Sequence, residues 1–162
     1  EKDTEICCIY RQFDGYPDGM GKRLAEVCGG LRLVNGMTDM RHAADGPDQA
    51  NGMGCLAATL VARLKIKWEK TGFDFGLDSH IPCPEPGNVY LYQPGTKDCW
   101  EAFEYHVKAS HKGKESENAE ILLSCYDVNG QGDDRELVPI AENVPAKDFL
   151  DACLKDQKSK AR

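Results

Sequence analysis

The chain has 162 residues, 41% of them apolar and 29% charged, the length and mixture of one folded domain, which excludes a disordered tail, a collagen-like fibre and a low-complexity linker. Twenty Lys and Arg against 27 Asp and Glu give a net charge of −7, which argues against duplex nucleic acid, whose phosphates reward a clustered basic face. No apolar run approaches the roughly 18 residues of a membrane span, so none is expected.

In chain order, Glu5–Arg11 (EICCIYR) is rich in β-branched and aromatic types and predicts a buried strand. The DGYPDG that follows is dense in turn chemistry. From Met20 the positions Met20, Leu24, Val27, Cys28 and Leu31 recur at helical spacing, with Asp18 as the expected N-cap and Gly29-Gly30 as the stop. After a loop from Asn35 to Ala50, the stripe Met53, Leu56, Ala57, Leu60, Val61 and Leu64 predicts a helix over Met53–Lys65. Its opposite side carries Cys55, Ala58, Thr59 and Ala62, small residues that predict a covered face.

The stretch from Lys65 to Gly87 has no period and holds Trp68, Phe73, Phe75, Leu77 and Ile81, with Pro82, Pro84 and Pro86 near its end. It is expected to be a partner-binding insertion. Three strands follow: Val89–Gln93, Ala102–Lys108 and Ile121–Val128. In the second, Phe103, Tyr105 and Val107 alternate inward while Glu104, His106 and Lys108 face outward. NGQGDD is a turn, and Pro145 opens an amphipathic helix carrying Phe149, Leu150, Cys153 and Leu154. The expected fold is α+β: a mostly antiparallel sheet with about three helices, mainly on one face. Residues 1–145 form one compact domain with the insertion at about 65–87, and 146–162 form a C-terminal amphipathic helix and charged tail.

Eight cysteines show neither zinc-knuckle spacing nor a C-x-x-C pair, so no metal and no cofactor is expected. Cys7, Cys8, Cys28, Cys125 and Cys153 lie in apolar stretches, where cysteine packs as a small hydrophobe. They are expected to be buried and reduced, which favours a reducing compartment. Cys83 and Cys99 are the pair best placed for a disulfide. The chain opens on Glu1, which is consistent with processing, a removed organellar or secretory signal included.

Three constellations could carry chemistry. Asp18-Gly19-Met20-Gly21 and Asn51-Gly52-Met53-Gly54 share one form, and each opens a helix. Helix N-termini favour anions, so Gly19, Gly21, Gly52 and Gly54, with Arg11, Asp14, Lys22 and Arg23 nearby, are a candidate site for a nucleotide-like anion. The same glycines also serve tight turns and close packing. Second, Cys55 stands in the first turn of a helix, where the terminal field favours a thiolate. With His106 and Asp127 on later strands it follows the order of papain-like and NlpC-type peptidases, in order only. Third, Asp127, Asn129, Gln131, Gly132 and Asp133 mimic half a calcium loop. Val138 stands where a bidentate Glu is required, so the segment reads as a hairpin turn.

The segments YRQFDGYPDGMGKRLA, NGMGCLAATLVARLK and NVYLYQPGTKDCWEAFEYHV resemble a family of small uncharacterised phage and microbial proteins. Its signatures are Tyr-Arg-x-x-Asp-Gly-Tyr-Pro and Asn-Gly-Met-Gly-Cys-Leu-Ala-Ala. The resemblance covers most of residues 5–107 and implies one compact α+β domain; it implies no particular activity. The insertion before Val89 and the C-terminal helix depart from the family pattern.

Together these features point to a non-enzymatic binding or assembly protein. One version captures an anionic small molecule at the glycine-opened helices. The other docks as an accessory subunit through the 65–87 loop and the C-terminal helix. The alternative is a thiol-dependent hydrolase with Cys55 as nucleophile.

Overall fold

Alternation along one strand organises the molecule. In the computed structural model, which describes residues 4–11, 15–34, 49–65, 89–97, 101–110 and 119–160, β5 (Phe103–Ser110) pairs antiparallel with β6 (Glu120–Asn129). β6 pairs antiparallel with β7 (Glu136–Pro145), giving the order β5-β6-β7. Because successive side chains point to opposite faces, Phe103, Tyr105, Val107 and Ala109 share a face with Ile121, Leu123 and Cys125. That face meets the helices and forms the core with Leu24, Cys28, Phe149 and Cys153.

Helix α1 (Lys22–Gly29) starts from a π-type turn over Pro17–Gly21. Asp18 lies inside that turn and no side chain caps it. α2 (Gly52–Lys65) buries Leu56, Leu60 and Leu64, the centre of its predicted stripe. α3 (Phe149–Lys160) follows a short 3-10 turn and packs on β6, β7 and α1. Among the described residues the architecture is α+β, with antiparallel sheets and three helices. β2 (Arg32–Val34) pairs parallel with β3 (Gln49–Asn51).

A separate ribbon joins β1 (Cys8–Arg11) to β4 (Val89–Tyr92), with Tyr10 opposite Tyr90 and Cys8 opposite Tyr92. Ile9 and Val89 on its inner face pack against the core.

β7 was not foreseen. Pro139, Pro145 and polar residues interrupt its apolar pattern, yet it is an edge strand, where proline costs no ladder bond. A register shift around Cys125 bulges the β6–β7 pairing, and Asn143 there has φ of 50°. Its N–H donates to Ser124 Oγ at 2.9 Å, which satisfies a side chain only 2% exposed.

The cysteine expectation holds in part. Cys28, Cys125 and Cys153 are buried thiols, Cys7 and Cys8 are thiols that are only half-buried, and Cys55 is exposed. Cys83, Cys99 and the insertion over 66–87 lie outside the described residues.

Candidate functional site

The two glycine-opened helix starts are built differently. Gly19 and Gly21 are buried, and a Cβ on Gly21 would lie 3.4 Å from the Tyr105 ring and 3.7 Å from Phe149. The Gly19 and Gly21 N–H groups both donate to Tyr16 O, at 3.0 and 3.4 Å. The donors an anion needs are therefore spent inside the turn. Tyr105 closes the turn from the other side, its hydroxyl donating to Gly15 O at 2.7 Å. At the second start Gly52 has φ of +71°, and Gly52 and Gly54 face open space. One start packs inward and the other faces outward, so the four glycines do not line a common cavity.

The basic members of the anion set disperse as well. Lys22 is exposed. Arg23 lines a groove of about 150 Å³ with Glu26, Val27, Gly30, Leu31 and Arg63. Its guanidinium donates to Arg63 O at 3.4 Å and pairs with Glu26 at 3.7 Å. Arg11 ends β1, opposite Val89. Asp14 lies outside the described residues.

The thiol triad does not assemble. Asp127 pairs with Phe103 and shares its inward face, whereas His106 pairs with Ser124 and points outward. His106 already has a carboxylate partner, Glu104 Oε1 at 2.6 Å, and its ring lies 4.8 Å from that of Tyr126. Cys55 is exposed on α2, which packs on β2, β3, β4 and α1, not on the outward sheet face. Its neighbours Ala58 and Ala62 are exposed too. The small-residue side of α2 is therefore open, contrary to expectation. Thr59 uses its hydroxyl on the helix itself, donating to Cys55 O at 2.9 Å.

Sequence reasoning treated Glu104 and His106 as plain outward strand residues. The structure joins them to a polar chain across the open face of the sheet. Arg135, itself well buried, donates to Glu101 Oε1 at 2.8 Å and to Glu104 Oε2. The His106 hydrogen bond, helped by Arg135, holds the Glu104 carboxyl down at about 2 despite its burial. Tyr126 continues the chain, its hydroxyl donating to Glu142 Oε1 at 3.0 Å. Ser124 lies beside His106, but it is buried and accepts from Asn143. The network ties both Glu104 oxygens to His106 and Arg135 and leaves Glu101 Oε2 buried without a hydrogen-bond partner among the described residues.

The remaining feature is apolar. Five large apolar side chains are exposed among the described residues: Ile6, Tyr16, Tyr90, Leu91 and Tyr92. Three of them are on β4, and Ile6 leads into β1. On the outer face of the ribbon the ring centroids of Tyr10, Tyr90 and Tyr92 stand 6.0, 6.4 and 6.2 Å apart, a nearly equilateral triangle. Tyr16, the fifth, leans on Phe103 at 5.5 Å. A strong β pattern, VYLY, was legible; that its tyrosines would face outward depended on the pairing with β1.

The expected docking role of the C-terminal helix meets a different fact. Phe149 and Cys153 are fully buried in the core, so the apolar side of α3 is taken up by the domain's own sheet.

Searches against protein-family models, curated proteins and solved structures found no match to the chain.

Proposed function

We propose that this chain is a non-enzymatic docking or assembly protein whose recognition surface is the outer face of the β1–β4 ribbon. The observation that carries the reading is the exposure of Tyr90 and Tyr92 together on the outer face of this ribbon, with exposed Ile6 leading into it. Tyrosines supply large, rigid contact area with a polar tip, and they are enriched where proteins meet. A two-stranded ribbon is marginal alone, and here one face rests on the core through Ile9 and Val89. The other face is thereby held ready for a partner at little ordering cost.

The test is co-purification from the native source with wild-type chain and with a Tyr90→Ser/Tyr92→Ser variant. The reading expects a stoichiometric partner with the wild type and its loss with the variant. A partner that stays bound to the variant overturns the assignment of the ribbon. A Cys55→Ser variant is expected to keep the partner and every measurable function; loss of a hydrolytic activity on that change would favour the thiol-enzyme alternative.

A further inference from the structure

We propose that Cys125 and Cys153 are a disulfide-forming pair, a covalent staple between β6 and α3 that closes when the chain folds in the presence of a low-molecular-weight disulfide. Three relations bring the two sulfurs together. Tyr105 stands opposite Cys125 in the β5–β6 ladder, so the two side chains leave the sheet as neighbours on its core face. Phe149 meets the Tyr105 ring edge-on at 6.4 Å. Cys153 follows Phe149 by one helical turn, so it lies on the same side of α3 and over the same strip of sheet. The Cys125 thiol accordingly makes hydrogen bonds with both Cys153 and Tyr105, and Cys125, Cys153 and Phe149 are all fully buried. Cys28 supplies the contrast, a core thiol raised by burial alone.

The chemistry balances with glutathione disulfide as the oxidant. In the open chain one of the two cysteines, as its thiolate, attacks a sulfur of the oxidant. A protein–glutathione bond forms, the oxidant's own S–S bond breaks, and one glutathione leaves as a thiolate that takes up the proton. As β6 and α3 come together, the second cysteine attacks the protein-side sulfur of this mixed disulfide and releases the second glutathione. The two protein thiols lose two electrons and two protons, and the oxidant receives them as two thiols. Once made, the bond is shielded, because both sulfurs sit in the core beyond the reach of an attacking thiolate. In the reduced protein the hydrogen bond with Cys153, together with burial, keeps Cys125 protonated, so the oxidant must act while the chain is folding. The loop that the bond closes contains β7 and the turn into α3. It restricts the unfolded chain and ties the C-terminal helix to the sheet.

The test unfolds the full chain and refolds it either in a buffer of reduced and oxidised glutathione or in dithiothreitol, followed by alkylation and peptide mapping by mass spectrometry. The map from the glutathione buffer is expected to hold a cross-linked peptide joining Cys125 to Cys153. The linked protein should melt about 5 °C or more above the reduced one and lose that gain on reduction under denaturing conditions. Cys153→Ala should lose both the link and the gain, whereas Cys28→Ala should keep both. Comparing each variant's oxidised form with its own reduced form removes any packing cost of the substitution. Cys125 and Cys153 recovered alkylated, capped by glutathione or joined to other cysteines would overturn the proposal and leave them as two small core side chains. A chain that regains its circular dichroism in dithiothreitol but not in the glutathione buffer would overturn it too, since the fold has then failed to select the pair. A Cys125–Cys153 link with no rise in melting temperature would overturn the staple.

Discussion

Gly130 and Gly54 show how one residue type serves unlike purposes. Gly130 has φ of +76°, and a Cβ there would lie 2.4 Å from Asp134 O. Gly130→Ala is therefore expected to destabilise the β6–β7 hairpin by more than about 1 kcal/mol, read from the urea midpoint. Gly54 faces open space within α2, so Gly54→Ala should be neutral or stabilise by up to about 1 kcal/mol. Sequence reading grouped Gly54 with Gly21 because they share a tetrapeptide form. It could not see that Tyr105, eighty-odd positions away, would close over one of them. Glu104 makes a second residue-scale prediction. Its folded carboxyl titrates at about 2, held down by His106 and Arg135, against an ordinary 4.5. The unfolded chain therefore takes up this proton first as pH falls. The stabilisation is complete above about pH 4.5 and is lost as pH drops toward 2. Melting temperature measured between pH 2.5 and 7 should fall on the acid side, and Glu104→Gln should lower the neutral value while flattening the slope. The thiols follow burial: Cys55 should alkylate in the folded protein, while Cys28, Cys125 and Cys153 should react only on unfolding. Burial pushes Cys28 up to about 12, and a hydrogen bond with Cys153, then burial, raises Cys125.

At the scale of elements, periodic segments were legible and interrupted ones were not. The stripe of α2 and the alternation of β5 are strong because one face of each is buried, and the chain records that face directly. β2 and β3 are three residues each, too short to show a period. β7 carries two prolines that an edge position tolerates. The small side of α2 reads as a packed face, yet it is open, since smallness records permission to pack and not the packing itself. α3 was foreseen as an amphipathic helix but assigned outward. Phe149 meets Tyr105 edge-on at 6.4 Å and is fully buried. Phe149→Ala should cost about 3–5 kcal/mol in chemical denaturation. A stability change under about 1 kcal/mol would mean that α3 is an appendage free to dock elsewhere.

For the whole molecule, the candidate site was legible in composition but not in place. The acidic balance and the VYLY strand stand in the sequence; the triangle arises only when Tyr10 is brought opposite Tyr90 by antiparallel pairing. Neither anion capture nor thiol chemistry finds its parts assembled, because the first glycine turn consumes its own donors and His106 points away from the face shared by Asp127. Docking through the ribbon is left as the account's central claim. Hydrogen–deuterium exchange of the chain, alone and in complex with the partner that co-purifies with it, tests that claim most directly. The account predicts new protection over Cys8–Arg11 and Val89–Tyr92 with little change in α2. Protection centred on the first turn of α2 around Cys55, with the ribbon unchanged, would contradict it.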